Sequence, residues 1–206
     1  MILLVGLGNP TPDSKENRHN IGFKIIDAIN QKFSLSKQKP KFKGLLTTGK
    51  ILNKKIYAIK PLTFMNNSGI CIRELIEYFK IGVEDIIVFH DDLDIDFGKI
   101  KAKIGGSSAG HNGIASIDKF VGKDYSRVRI GIGKPDSKIS TSDYVLNNFS
   151  EDEQQNLDKI TNNIIDSLAI SQFISSWQFF RPKFTIVLCL AVGLALHSFS
   201  NITIIC

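Results

Sequence analysis

MILLVGLGNP, residues 1–10, followed by IGFKIIDAINQKF, residues 21–33, decides the fold. The first stretch is a short apolar run stopped by Gly8-Asn9-Pro10, which reads as a strand broken by turn residues. In the second, Ile21, Ile25, Ile29 and Phe33 recur at helical spacing, so an amphipathic helix is expected over about Asn20–Phe33. The chain keeps this alternation of strand and helix. Two strands flank a turn at Asn53-Lys54-Lys55, the second ending at Pro61. Cys71, Ile72, Leu75, Ile76 and Phe79 mark a helix, with Gly82 expected to close it. Ile86–Phe89 is a strand running into His90-Asp91-Asp92, Lys99–Ile104 is another, and Arg127–Gly133 a third. A helix through Ile114, Ile117 and Val121 follows the Gly-rich segment 105–113. The capping box Ser150/Glu153 starts a further helix through Leu157, Ile160, Ile164 and Leu168. Lysine-rich sequence from Lys37 to Lys43 receives no element. The pattern is that of an α/β sheet covered by helices on both faces.

Composition limits the partners without naming one. At 206 residues the chain suits one domain, and 43% hydrophobic with 22% charged residues excludes a disordered one. The net charge is +6, of which Arg181 and Lys183 contribute two, leaving +4 up to residue 171. That excess permits a nucleic-acid partner but does not require one. Cys71, Cys189 and Cys206 have neither metal-type nor redox-type spacing and read as free thiols in a reducing compartment. The N-terminus has no basic leader or cleavage site, so a cytoplasmic protein is expected.

In α/β folds functional groups gather where strands end. Here those places are Gly8–Asn20, Pro61–Gly69, His90–Gly98 and Gly105–Gly113. Several familiar motifs fail there. Gly6-Leu7-Gly8 begins like a dinucleotide fingerprint, but Thr11 stands where the third glycine belongs. Gly105 and Gly110 have P-loop spacing, yet His111-Asn112 replaces the Lys and Ser/Thr. Gly106-Ser107-Ser108-Ala109-Gly110 fits a nucleophile elbow, but the only downstream histidines are the nearby His111 and His197 in the tail. Asp92, Asp94 and Asp96 open like a calcium loop that Phe97 and Lys103 then break. A hydrolytic metal centre would draw on His90 or His111 with these aspartates. The plainer reading is that some of the carboxylates orient neighbours and others sit in water.

His19, in Asn17-Arg18-His19-Asn20, enters a helix near the mouth of the sheet. Its imidazole suits proton transfer near neutral pH, although alone it is as easily a helix cap or a surface residue. Asp91 at another strand end could fix its tautomer, and asparagines at every loop (Asn9, Asn20, Asn66, Asn112) offer amides for peptide groups. Lys99, Lys101 and Lys103 alternate, as do Arg127 and Arg129. On strands each set forms a positive stripe, for phosphates or simply as a solvated edge.

At these same segments the chain resembles the bacterial peptidyl-tRNA hydrolase family. The matching residues are Val5-Gly6-Leu7-Gly8-Asn9-Pro10, Arg18-His19-Asn20-Ile21-Gly22-Phe23 and Thr63-Phe64-Met65-Asn66-Asn67-Ser68-Gly69. In order along the chain there follow His90-Asp91-Asp92-Leu93-Asp94 with Gly98, Gly105-Gly106 with Gly110-His111-Asn112-Gly113, and Arg127–Gly133. The resemblance covers residues 1 to about 170. It implies a single-domain, three-layer α/β/α monomer with a mixed, mostly parallel twisted sheet, recycling tRNA by cleaving the ester of peptidyl-tRNA. By the same resemblance His19 is the general base that activates water and Asp91 holds it in its proton-accepting form. Asn9 distinguishes blocked from free aminoacyl-tRNA, and Phe64, Asn66 and Asn112 line the substrate site. Lys101, Lys103 and Arg129 are implied phosphate contacts, on a looser match. No metal and no organic cofactor is implied. Two residues depart from the family pattern: Thr11 where a glycine is usual, and Ser14 where a tyrosine walls the substrate site.

The tail is the larger departure. Residues 184–206 contain no Asp, Glu, Lys or Arg, and Phe184–Leu196 is their densest apolar part. His197, Ser198, Ser200, Asn201 and Thr203 then weaken a membrane reading. The catalytic domain is therefore placed at residues 1–171. For 172–206 a tail anchor, a helix packed on the domain or a partner, and a non-functional extension all stay open, with membrane contact not favoured. Two rival functions also stay open. One is a metal-dependent hydrolase on His90, Asp91, Asp92 and Asp94; the other is a tRNA-binding module without chemistry.

Overall fold

A computed structural model describes residues 1–51, 53–135 and 138–174. In chain order the elements are β1 (Ile2–Gly6), α1 (Ile21–Lys32), β2 (Lys39–Lys41), β3 (Gly44–Ile51), β4 (Lys54–Pro61) and α2 (Ser68–Phe79). There follow β5 (Ile86–Asp92), β6 (Ile100–Ile104), α3 (Asn112–Val121), β7 (Ser126–Gly131), α4 (Thr141–Leu146) and α5 (Glu151–Ile174). Tight 3-10 turns at Pro12–Ser14, Arg18–Asn20 and Met65–Asn67 lie in the loops after β1 and β4.

The seven strands form one sheet in the order β2-β3-β4-β1-β5-β7-β6. β4, β1, β5 and β7 are mutually parallel, while β3 and β6 run against their neighbours. This is the mixed sheet that the family resemblance implied, with a parallel centre and antiparallel flanks. Alternate residues of the central strands feed two cores. Leu4, Ile87, Phe89, Val128 and Ile130 pack under α1 and α5. Leu3, Val5, Ile86 and Val88 pack under α2 and α3. The near-continuous apolar runs of β1 and β5 follow from burial on both faces. The chain leaves β1 toward β2–β4 on one side, and leaves β5 toward β6–β7 on the other. The carboxyl ends of β1 and β5 thus flank the point where the winding direction reverses, the usual ligand position in such sheets.

Two expectations need correction. α2 is closed by Lys80 in the left-handed conformation (φ 54°, ψ 48°), not by Gly82. The N–H of Ile81 bonds the carbonyl of Ile76 and its side chain is buried, so a terminal hydrophobic contact offsets the strain at Lys80. The segment given no element contains β2, an exposed edge strand paired with β3 by backbone alone. The tail anchor, the packed helix and the non-functional extension considered for residues 172–206 fall, apart from the last turn of α5, outside the described residues. α5 itself runs through position 171 to Ile174. Among the described residues no helix is long and apolar enough to cross a membrane.

The glycines that resembled a dinucleotide motif serve packing. A Cβ on Gly6 would lie 2.2 Å from the carbonyl oxygen of Gly22, and one on Gly22 would lie 2.4 Å from both the nitrogen of Leu7 and the carbonyl oxygen of Phe89. α1 therefore begins in backbone contact with the ends of β1 and β5, and that approach carries the turn just before it into the site. Because backbone is what blocks the new methyl, Gly22→Ala is expected to cost about 1–3 kcal/mol. For a domain of this size that is a fall of roughly 2–12 °C in Tm, read by thermal unfolding. A Tm within 2 °C of wild type would show that the contact yields.

Candidate active site

Asp91 is the last residue but one of β5 and is buried. Two histidines reach one oxygen of its carboxylate. From the α1 side, His19 Nδ1 lies 2.8 Å from Asp91 Oδ1, and from the α3 side His111 Nε2 lies 3.1 Å from the same atom. His111 caps α3: its Nδ1 accepts the N–H groups of Gly113 (3.1 Å) and Ile114 (3.3 Å). That leaves the ring hydrogen on Nε2, donating to Asp91. His19 likewise donates from Nδ1, so its Nε2 is left as a lone-pair acceptor.

The electrostatics follow from burial and pairing. Burial alone would push the Asp91 carboxyl up, but the charges and hydrogen bonds of His19 and His111 outweigh it and hold the group far below the usual carboxylate range. Burial opposes charge on His19 as well, yet Asp91 outweighs it and raises the His19 pKa. His90 donates from Nδ1 to the backbone carbonyl of Asp91 at 2.7 Å. Complete burial, and then the charge of His111, drive its pKa well below the ordinary value.

His19 and Asp91 open onto a cavity of about 300 Å³ that also touches Ser108, Asn112, Ser142 and Val145. Asn9, just after β1, is locked on the β1 side. Its N–H donates to Asn20 Oδ1 (2.7 Å), its carbonyl accepts from Asn20 Nδ2 (2.9 Å), and its Oδ1 accepts the N–H of Met65 (3.1 Å). Among the described residues no hydrogen bond engages Asn9 Nδ2. Phe64 is 56% exposed and its backbone sits at φ 57° and ψ 162°, a region that residues with a Cβ rarely adopt. Asn66, in the turn after it, is exposed. Backbone strain of this kind clusters at ligand-binding and catalytic sites in proteins generally.

Other candidates fall outside the centre. Ser14 is buried, and its hydroxyl lies 2.6 Å from that of Thr11, so the two departures from the family pattern meet each other. Lys101 stands opposite Arg129 and Lys103 opposite Arg127, giving one basic face at the β6–β7 edge. Arg129 Nε bonds Asp92 Oδ2 (2.6 Å), and Asp92 lines the cavity, so this face adjoins the cleft. Arg127 is fully buried against Asp118 (2.7 Å) and the carbonyl of Ser107 (3.0 Å), and holds α3 to the sheet. Lys99 instead pairs with Asp96.

The donor set of the rival metal centre does not converge. His90 Nδ1 is taken by a backbone carbonyl and its Nε2 is buried without a hydrogen-bond partner among the described residues, while Asp92 is paired with Arg129 and Asp94 with Lys134. Among the described residues the group close enough to share an ion is His19, Asp91 and His111, with donor atoms within 4.8 Å of one another. Those atoms are already joined by hydrogen bonds. Ser108 borders the cavity, but its hydroxyl has no hydrogen bond to either histidine among the described residues.

Sequence reasoning missed His111 as a partner of Asp91, although its place directly before a helix marked it as a cap. It also missed α4, whose Thr141, Ser142 and Val145 wall the cavity. The signal was Ser140, whose hydroxyl accepts the N–H of Asp143 (3.1 Å) in an N-cap.

Comparison with known proteins gives the same direction. A family model described as peptidyl-tRNA hydrolase matches residues 3–178. The peptidyl-tRNA hydrolase of Pelagibacter ubique is 77% identical over 170 residues, which span 82% of this chain and 91% of that protein. That of Bartonella henselae is 45% identical over 82% of this chain and 88% of its own length. The crystal structure of the Acinetobacter baumannii enzyme superposes with a TM-score of 0.81 at 31% identity, covering 92% of this chain and 94% of that one. The match takes in every element from β1 to α5, and this chain belongs to the peptidyl-tRNA hydrolase family.

Proposed function

We propose that this peptidyl-tRNA hydrolase cleaves its ester with water activated by His19, in a site where protein side chains alone supply the chemistry. The observation that carries this is the 2.8 Å hydrogen bond from His19 Nδ1 to Asp91, which fixes Nε2 as the acceptor at the cavity. Water bound at Nε2 gives up a proton as it attacks the ester carbonyl. The imidazolium so formed is stabilised by the buried Asp91 carboxylate, and it returns the proton to the leaving ribose oxygen. His111, donating to the same carboxylate oxygen, keeps Asp91 aimed.

The unengaged Nδ2 of Asn9 accounts for selectivity. A blocked aminoacyl group presents an amide carbonyl that this donor can bond; a free one presents an ammonium, itself only a donor. Asn66 and Asn112 would serve neighbouring amides of the peptide, and Phe64 the adenine or a side chain. Lys101, Lys103 and Arg129 would meet phosphates. Burial, then repulsion from Arg129 and Arg127, lowers the Lys103 pKa, a strain that an arriving anion relieves. Ser14, turned to Thr11, would enlarge the pocket where relatives place a ring. The protein is read as a cytoplasmic monomer, in keeping with the free, buried Cys71, whose thiol burial pushes up to about 12.

The test is cleavage of a labelled N-blocked aminoacyl-tRNA beside its free counterpart, with EDTA present. Wild type should cleave the blocked substrate by a wide margin. Asn9→Asp keeps the oxygen that accepts from Met65 and exchanges the unengaged donor for an acceptor. The ratio of kcat/KM for blocked over free substrate should fall about tenfold or more. An unchanged ratio, with both rates reduced alike, would remove Asn9 from selectivity.

A further inference from the structure

We infer that Arg18 is a positioning residue for the reaction, tying the turn that carries His19 to the cavity wall and to the start of α5. Arg18 is buried although it is charged. Its Nη1 donates to the carbonyls of Asn148 and Asn147, the latter at 3.3 Å, and its Nη2 bonds Glu153 Oε2 at 2.7 Å. The guanidinium also lies 4.4 Å from the ring centroid of Tyr144 and 5.2 Å from that of Phe149. Backbone bonds reinforce the join: the N–H of Arg18 donates to the carbonyl of Asn147 (3.0 Å), and Asn17 pairs with Asn148.

The partners reach the cavity by another route. Tyr144 belongs to α4, whose Thr141, Ser142 and Val145 wall the cleft, and its hydroxyl donates to the carbonyl of Ile132 at 2.7 Å. Glu153 accepts at the same oxygen from the N–H of Ser150 (2.7 Å), so the capping box of α5 is bound to Arg18. In a 3-10 turn successive side chains diverge by about 120°. Arg18 therefore enters the C-terminal segment while the next residue, His19, meets Asp91. Asp91 holds the His19 ring, and the Arg18 side of the turn sets that pair relative to the part of the cavity wall that α4 supplies. Through Nη1 and Nη2 the planar cation satisfies two carbonyls and a carboxylate at once, Nε staying without a partner among the described residues, and its faces stack on aromatic rings; lysine cannot do both.

The inference rests on His19 being the base, which the His19→Ala measurement decides separately. Single-turnover cleavage of an N-blocked aminoacyl-tRNA is followed for Arg18→Gln and Arg18→Lys, at temperatures below each variant's measured Tm. The maximal rate of Arg18→Gln should fall about 10- to 100-fold, as a displaced reacting group loses alignment. The enzyme concentration giving half that rate should change less than threefold, and Arg18→Lys should recover only part of the loss. The acid limb of the pH–rate profile should stay in place, because Asp91 still faces His19. A maximal rate within twofold of wild type overturns the inference. So does a loss confined to the half-saturating concentration, which would make Arg18 a substrate contact, or a moved acid limb, which would make it act on protonation. Should both Arg18 variants fail to fold, Glu153→Gln decides: it keeps an acceptor for the cap and removes the charge facing Arg18. A loss of about three- to tenfold in maximal rate supports the role, and a rate within twofold of wild type overturns it.

Discussion

Single-turnover cleavage of an N-blocked aminoacyl-tRNA by His19→Ala is expected to fall by about two orders of magnitude or more, with EDTA in both reactions. A hundredfold corresponds to about 2.7 kcal/mol of transition-state stabilisation. Among the described residues, the substitution removes the one histidine nitrogen at the cavity left as a free acceptor, since Nδ1 of His19 and both nitrogens of His111 are engaged. It leaves Asp91 bonded to His111, so the carboxylate is not orphaned and the fold should survive, which circular dichroism would verify. Each rival has its own outcome. A metal-dependent hydrolase would be silenced by EDTA in the wild type and restored by a divalent ion. A binding module would hold tRNA and leave the ester intact. Retention of more than a tenth of the rate by His19→Ala would take the base away from this residue.

Much of this site was legible because strand ends are legible. The apolar runs Ile2–Gly6 and Ile86–Phe89 are buried on both faces and end in polar loops, so the sequence names the loops that meet. What it could not show is which side each loop arrives from. Asp91 and Asp92 are neighbours whose side chains leave opposite faces of β5, one to His19 and the other to Arg129. No spacing tells which carboxylate meets a histidine 72 residues away. His111 reaches Asp91 around the end of the strand, a contact set by α3 packing on the far layer. Arg127 and Arg129 share a face by alternation, yet Asp118 of α3 buries the first and leaves the second at the cleft. β2 escaped detection because its exposed residues, Lys39, Pro40 and Lys41, show no alternation and pair through backbone only.

Asp91→Asn should separate the two ways a carboxylate can serve a histidine: by aiming it and by charging it. The amide is nearly isosteric and can still accept from His19 Nδ1, but it carries no charge and can also present a donor, which admits the wrong tautomer. A loss of about 10²–10⁴ in the single-turnover rate is expected, in line with the corresponding change in serine hydrolases. The pH profile gives the sharper reading. In the wild type Asp91 raises the His19 pKa against burial. The rate should therefore climb with pH through a value above the ordinary imidazole pKa of about 6.5 and then level. In Asp91→Asn burial acts unopposed, so the climb should shift to lower pH even as the plateau drops. Stability should follow the same charges. A raised His19 pKa contributes stability that is complete below about 6.5 and lost as pH rises through the folded value. The depressed Asp91 pKa contributes stability present above about 3.9 and lost as pH falls toward its folded value. The difference in unfolding free energy between wild type and Asp91→Asn should thus be greatest between about pH 4 and 6.5 and narrow on either side. A plateau that drops without any acid shift would leave aiming as the sole work of the carboxylate. A profile and a rate both equal to wild type would detach Asp91 from His19 altogether.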